Sequence, residues 1–181
     1  KCFCDIQLTA SDLAMEIPKI AARDRKLIGR LYKCSRRFPS IKRLASDSWL
    51  EGISAKLMDT TLASCCHFVS VRIDLPSEDK YLLPPHQDFP YIQESMNGVT
   101  WWIPFMDMPI NVGPPAFIYG SHKSGVLRVK EYDYERTDQS GGKSFNINDF
   151  TQIKGESYAE NSPVYFGEAL VFNTLLVHRS E

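Results

Sequence analysis

Apolar residues in the first third of the chain recur at the spacing of an α-helix. Between Ile17 and Leu31 they keep to one face, and basic residues follow the same period on the opposite, solvated face. Pro18 is predicted to lie in the first turn, where its missing N–H costs no hydrogen bond. Gly29 weakens the second half of the pattern, because glycine is a poor helix former.

A second helix is predicted to begin at Ser48. This serine is a suitable N-cap, and Glu51 three residues later completes a capping box. The apolar side chains that follow would share one face, which favours packing against a sheet. Residues 1–64 are therefore predicted to be helical.

Short β-branched and aromatic runs replace the helical period after residue 64. The strongest strand candidate is 98–105, and Pro104 within it indicates an edge or the end of a strand. The polar segment 122–162 is predicted to be a long loop or lid that contains short structured pieces. The other predicted strands are 67–73, 116–119, 164–166, 169–172 and 175–178.

Helices first and strands afterwards predict an α+β fold that is mainly β. The strand-rich part, 65–181, fits a double-stranded β-helix, the cupin-like jelly roll, with the N-terminal helices packed on its sheet. Residues 1–181 are interpreted as a single domain with a sizeable core. The chain opens without a methionine and stops abruptly at Glu181, so we expect it to be incomplete at both ends.

The composition is typical of a globular protein in water, with 43% hydrophobic and 24% charged residues. A formal net charge of −1 provides no general attraction to nucleic acid, and no apolar run reaches the length of a membrane span. The 5 cysteines include the vicinal pair Cys65-Cys66, which does not readily form a disulfide. All five are interpreted as reduced thiols of a cytoplasmic protein, and the oligomeric state stays open.

Three residues with metal-binding side chains carry the candidate chemistry. His86 and Asp88 are two positions apart, so in a regular strand both would point to the same side. His178 follows at the end of a later predicted strand. Two imidazoles and one carboxylate form the facial triad of non-haem Fe(II) sites, which leaves the opposite face of the metal open. The spacing alone also allows a plain structural His–Asp pair. The other histidines, His67 and His122, are interpreted as structural.

Five short segments then occur in a fixed order: 83–88 (LPPHQD), 102–107 (WIPFMD), 119–123 (YGSHK), 167–172 (GEALVF) and 178–180 (HRS). Together they resemble the phytanoyl-CoA dioxygenase family, and the resemblance runs from about Val69 to the C-terminus. The order of five separate motifs is more specific than any one of them. The resemblance implies a double-stranded β-helix and an Fe(II)- and 2-oxoglutarate-dependent oxygenase, which consumes dioxygen.

The resemblance also implies roles for individual residues. It makes His86, Asp88 and His178 the catalytic iron ligands, and it implies hydroxylation of a C–H bond in a small molecule. Phe89 and Tyr91 lie near the iron motif, as does Trp101, and they either line an apolar substrate pocket or belong to the core.

Four further residues are implied to bind the 2-oxoglutarate co-substrate. Trp102 matches a position beside the co-substrate, and Ser180 matches a hydroxyl that bonds its distal carboxylate. Ser70 or Asp74, on or just after the predicted strand that precedes the iron motif, would complete the pocket. A core aromatic remains the alternative for Trp102, and a plain strand-end hydroxyl is the alternative for Ser180.

The chain departs from the family pattern in two places. The family expects an arginine shortly after the distal histidine as the bidentate anchor of the co-substrate carboxylate. The sequence ends at Glu181 before such a residue, and Arg179 would point away from the ligand side of its strand. The usual Asn-Gly turn appears as 111–115 (NVGPP), so we expect either an altered turn or residues missing from the sequence there.

Two other functions remain open from the sequence. One is a metal-dependent cupin enzyme that uses no 2-oxoglutarate. The other is a catalytically silent binding domain that keeps the fold.

Overall fold

The computed structural model describes residues 10–66, 69–134, 142–154 and 161–181. Helices precede strands, as the sequence predicts. The α-helices are α1 (Ala10–Arg23), α2 (Arg25–Ser35), α3 (Pro39–Ala45), α4 (Ser48–Leu57) and α5 (Phe89–Ile92).

The first predicted helix is two helices. Asp24 separates α1 from α2 with an extended backbone at φ −151°, and its side chain accepts a hydrogen bond from the Lys26 N–H as the N-cap of α2. The prediction that Pro18 lies in a first turn is wrong, because α1 begins at Ala10 and holds the proline in its interior. Gly29 is buried within α2, so the helix continues through it.

Helix α4 begins at the predicted position, but its cap was assigned to the wrong residue. Asp47 is the N-cap, and its carboxylate accepts a hydrogen bond from the Trp49 N–H. Ser48 is the first residue of the helix rather than its cap. Aspartate and serine are equally good caps, so neighbouring candidates are not separable from composition alone.

The described strands form three separate two-stranded antiparallel sheets. Strand β1 pairs with β5, β2 with β6, and β3 with β4. The strands are β1 (Val99–Trp102), β2 (Ala116–Phe117), β3 (Lys130–Tyr134), β4 (Gly142–Asn146), β5 (Leu170–Asn173) and β6 (His178–Arg179). Beyond the strands, Met108 and Val164 form an isolated antiparallel bridge.

Several predicted strands are shorter or missing. His67 and Phe68 lie outside the described residues, and 69–73 is not a strand, because no described strand pairs with it. The predicted strand 164–166 shrinks to the bridge at Val164. Residues 174–176 form a turn, so of the predicted strand 175–178 only His178 lies in β6. Alternating apolar residues mark a half-buried segment, whereas a strand also needs a hydrogen-bonding neighbour.

The polar segment 122–162 is more ordered than a plain loop. Its described part holds the β3–β4 hairpin and a 3₁₀ turn at Phe150–Gln152. The segment 111–115 overlaps the 3₁₀ turn Ile110–Val112, and Gly113 follows that turn with φ +80°. A Cβ there would lie 2.1 Å from the carbonyl oxygen of Glu181, so only glycine allows this backbone approach.

The described residues contain helices and small antiparallel sheets, and α1 to α4 are each longer than any described strand. The mainly β character that the sequence predicts is therefore not seen in this part of the chain. One buried apolar cluster comprises Ile118, Leu127, Ile147 and Val177, with Val129 and Ile153 packed against it. Val177 precedes the predicted ligand His178, so the core supports the site directly.

Among the described residues, Cys34, Cys65 and Cys66 form no disulfide, while Cys2 and Cys4 lie outside the described residues. Among the described helices, none combines the length and apolar character that crossing a bilayer requires.

Candidate metal centre

The candidate centre is built where two distant segments pair. His86 and His178 face each other in an antiparallel bridge. The His86 N–H donates to the His178 carbonyl at 2.9 Å, and the His178 N–H donates to the His86 carbonyl at 3.0 Å. Residues opposite each other in an antiparallel pair project their side chains to the same face. The two imidazole rings accordingly lie with their centroids 4.2 Å apart.

Asp88 reaches the same point through a turn of the chain. Its backbone N–H donates to the Thr174 carbonyl at 3.0 Å, and that of Phe89 donates to the same carbonyl at 3.1 Å. Asp88 has a helical backbone conformation and immediately precedes α5. The regular strand that sequence reasoning assumed between His86 and Asp88 is therefore absent, although both side chains still converge.

The three side chains form a compact donor set. One ligand atom from each of His86, Asp88 and His178 lies within 4.8 Å of the others. The Asp88 Oδ1 is 3.7 Å from the Nε2 of His86 and 3.7 Å from the Nε2 of His178. A single ion about 2.1 Å from each donor spans such a separation.

Backbone carbonyls set the tautomers of both histidines. The Nδ1 of His86 lies 2.7 Å from the Pro84 carbonyl, and the Nδ1 of His178 lies 3.0 Å from the Leu176 carbonyl. A carbonyl only accepts, so each Nδ1 carries the proton and each Nε2 presents a lone pair to the centre. Burial lowers the pKa of His86 to about 4, with a further contribution from His178, so this imidazole is neutral at neutral pH.

The Asp88 carboxylate, the third candidate donor, is held by a hydrogen bond to the oxygen that points away from the imidazoles. The Thr100 hydroxyl donates to the Oδ2 of Asp88 at 2.7 Å, which leaves Oδ1 turned toward the two imidazoles. Thr100 lies on β1, opposite Phe172 of β5. Sequence reasoning missed Thr100, although its position two residues before Trp102 places both on one face of the strand.

Gln87, between the candidate donors His86 and Asp88, is the second residue that sequence reasoning missed. Its side chain is 0% exposed. The Nε2 donates to the carbonyls of Gly125 and Leu175 at 2.9 and 2.7 Å. The Oε1 accepts from the Leu127 N–H at 3.0 Å. The Gln87 amide therefore connects the segment 86–88 to two other parts of the chain. Nothing in the neighbouring sequence indicates this role, because the partners are distant along the chain.

Aromatic rings enclose the imidazoles. Phe172 lies 4.8 Å and Phe117 lies 6.0 Å from the His178 ring, measured between centroids. Tyr91 meets the His86 ring edge-on at 5.7 Å. The Tyr91 hydroxyl also accepts a hydrogen bond from the Phe145 N–H at 2.9 Å, which links the centre to the β3–β4 hairpin. An apolar shell of this kind limits the access of water to a metal site.

Two of the residues predicted to bind co-substrate lie on the elements that carry the centre. Trp102 is on β1, on the same face as Thr100, and is half-buried. Ser180 follows His178 by two residues, and its N–H donates to the Leu83 carbonyl at 3.0 Å. Arg179, between them, pairs with Glu181.

Ser70 and Asp74 are engaged with other partners. The Ser70 hydroxyl is 2.9 Å from the Tyr32 hydroxyl of α2, and Asp74 forms a salt bridge with Arg72 at 2.7 Å. The Asp74 carboxylate is thus directed toward Arg72, and the Ser70 hydroxyl toward α2.

Two further candidates, Trp101 and His122, lie away from the donor set. Trp101 turns to α4, where its Nε1 donates to the Ser54 hydroxyl at 2.9 Å, so it faces away from the Thr100 side. His122 lies in the 3₁₀ turn Ser121–Ser124 and is not part of the metal-binding group among the described residues.

The donor set fits a divalent transition metal of the non-haem iron type. Two imidazoles and one carboxylate on one side of an ion leave its other side free for further ligands. The residues present are therefore compatible with bound Fe(II).

Comparison with known families agrees with this geometry. The family model of phytanoyl-CoA dioxygenase (PhyH) matches residues 40–181. The match contains all three donors and both strands of the β1–β5 pair. No curated protein matches the chain.

Proposed function

The chain belongs to the phytanoyl-CoA dioxygenase family, and we propose that it is a non-haem Fe(II)- and 2-oxoglutarate-dependent dioxygenase. Its reaction is the hydroxylation of a C–H bond in a small molecule. The observation that carries the proposal is the convergence of one donor atom each from His86, Asp88 and His178 within 4.8 Å. Proteins of this family are generally Fe(II)- and 2-oxoglutarate-dependent oxygenases.

The proposed ligands are the Nε2 atoms of His86 and His178 and the Oδ1 of Asp88. When bound, Fe(II) with 2-oxoglutarate and dioxygen supplies the oxidising power, and the co-substrate leaves as succinate and carbon dioxide. The protein would orient the three donor side chains, because each accepts or donates a hydrogen bond on the side away from the centre. Phe117 and Phe172 keep water away from one side of the centre.

The co-substrate is proposed to lie beside β1 and β6. Trp102 would contact it from β1, and Ser180 would donate to its distal carboxylate from the end of β6. Asp74 would contribute through its salt bridge with Arg72. Ser70 would complete the pocket only if its hydrogen bond with Tyr32 breaks. The support for these roles is position along the strands, which follows from the register of β1 and β6.

We also propose that residues 1–181 belong to one domain whose strands are part of a cupin-like jelly roll. The support is that both strand pairs contribute neighbours of the candidate donors: Thr100 of β1 bonds Asp88, and the rings of Phe117 in β2 and Phe172 in β5 lie beside His178. Opposed strands of such a barrel would give this arrangement. The ring of Tyr91 between His86 and Phe145 supports the β3–β4 hairpin as a wall of the substrate site.

The test is an anaerobic titration of the purified protein with Fe(II) and 2-oxoglutarate. We expect the weak visible charge-transfer band of a keto acid chelated to iron. His86→Ala should abolish the band, whereas His122→Ala should keep it, because His122 lies outside the donor set. Iron binding without a band would favour a cupin enzyme that uses no 2-oxoglutarate. Absence of iron binding would favour a silent binding domain.

A further inference from the structure

The three proposed ligands are each supported by one hydrogen bond on the side away from the centre. The Nδ1 atoms of His86 and His178 are hydrogen-bonded to the carbonyls of Pro84 and Leu176. The Asp88 carboxylate accepts a hydrogen bond from the Thr100 hydroxyl at 2.7 Å. Of these three supports, only Thr100 is a side chain, so only this one can be removed by substitution without changing a backbone.

The hydrogen bond also distinguishes the two carboxylate oxygens of Asp88. Oδ2 accepts from Thr100, and Oδ1 lies 3.7 Å from both imidazole Nε2 atoms. A hydroxyl bound to a carboxylate is a strong, charge-assisted donor. It therefore competes with any cation for Oδ2 and leaves Oδ1 as the free donor.

We propose that Thr100 is a positioning residue that keeps Asp88 a one-oxygen ligand of the metal. The inference rests on the proposed function. With three protein donors on an octahedral ion, one face stays open for co-substrate and dioxygen. If Oδ2 also bound, the carboxylate would occupy a further position, and the co-substrate would compete with it.

The strand makes Thr100 suitable for this task. Thr100 pairs with Phe172 of β5, so strand pairing fixes the backbone that carries the hydroxyl. A β-branched side chain has a stiff χ1, which holds the hydroxyl on Asp88. Valine has the same shape and a high strand preference, so it removes the hydroxyl with little change in packing.

The experiment measures metal binding and co-substrate binding separately. Co(II) and anaerobic Fe(II) are titrated into wild type, Thr100→Val and Thr100→Ser, and 2-oxoglutarate is then titrated into each metal-saturated protein. We expect Thr100→Val to weaken metal binding by about 10–100-fold and to weaken 2-oxoglutarate binding as well. Thr100→Ser should retain wild-type values, because it keeps the hydroxyl.

A matched control exists on the surface. Thr151 also bonds an aspartate, with its hydroxyl 2.5 Å from Asp149 in an exposed turn. Thr151→Val removes the same kind of bond away from the centre and should leave both affinities unchanged. If Thr100→Val does not fold, Thr100→Ser and Thr100→Ala replace it, since these two differ only in the hydroxyl.

The outcomes separate the inference from the proposed function. Wild-type affinities for metal and 2-oxoglutarate in folded Thr100→Val would overturn the role of Thr100 and leave the proposed function intact. A wild-type protein that binds neither Fe(II) nor Co(II) would overturn both. Weakened metal binding with unchanged 2-oxoglutarate binding would show that Thr100 stabilises Asp88 without setting its coordination mode, which also overturns the proposal.

Discussion

His86 and His178 are joined by two backbone hydrogen bonds: the His86 N–H donates to the His178 carbonyl at 2.9 Å, and the His178 N–H donates to the His86 carbonyl at 3.0 Å. The same pairing that closes this part of the fold therefore sets the distance between the two imidazoles. Any change that separates β6 from the segment around residue 86 would separate two of the three donors. The centre and the local fold are in this sense a single cooperative unit.

Metal binding should consequently stabilise the protein. A ligand that binds only the folded state raises the free energy of unfolding by about 2.7 kcal/mol at 100 times its dissociation constant. We expect Mn(II) or Co(II) to raise the melting temperature and EDTA to reverse the effect. His178→Ala should melt at the same temperature with and without metal. A metal-dependent shift that survives in this variant would place the binding site elsewhere.

Removal of the carboxylate should abolish the reaction. In Asp88→Ala the centre keeps two imidazoles but loses its anionic donor, so we expect no conversion of 2-oxoglutarate to succinate above background. Succinate is measured by NMR with and without Fe(II). Asp149→Ala, which changes an exposed aspartate bonded to Thr151, provides the control and should retain turnover. Full activity in Asp88→Ala would exclude this residue from the ligand set.

The buried Gln87 side chain is predicted to stabilise the fold, so its replacement should lower the free energy of unfolding. Gln87→Met would leave two carbonyls and the Leu127 N–H without the partner that the buried amide provides. Each buried polar group left unsatisfied costs about 1–3 kcal/mol. We therefore expect the free energy of unfolding, measured in urea, to fall by at least about 2 kcal/mol.

Gln93→Met is the matched control for that experiment. Gln93 is exposed and makes a single side-chain bond, to the Pro90 carbonyl at 3.2 Å. A surface change of this kind is expected to alter stability by no more than about 0.5 kcal/mol. Equal stability of the two variants would contradict a structural role for the Gln87 amide.

Trp101 should be a packing residue rather than a part of the pocket. Ser54→Ala removes the acceptor of the Trp101 Nε1–H, which costs about 1 kcal/mol. Ser40→Ala, exposed in α3, corrects for the helix preference of alanine. We expect urea unfolding to show the loss only in Ser54→Ala, and metal affinity to be unchanged in both. A change in metal affinity would place Trp101 on the side of the centre.

Local features of the chain were predictable because they depend on near neighbours. The helical period identified the helical first third, and β-branched runs located β1 and β5. The cap of α4 was misplaced by one residue, because Asp47 and Ser48 have the same capping chemistry. The segment 69–73 was wrongly predicted as a strand, since periodicity does not reveal whether a partner strand exists.

The sequence by itself determined the chemical type of the centre: two imidazoles and a carboxylate, with His86 and Asp88 close along the chain. Only the tertiary structure decided that His178 lies opposite His86, that Thr100 bonds the far oxygen of Asp88, and that Trp101 turns to α4. Donor chemistry is a property of each residue. Convergence of distant residues depends on strand pairing and register, which the sequence encodes only through the packing of the whole fold.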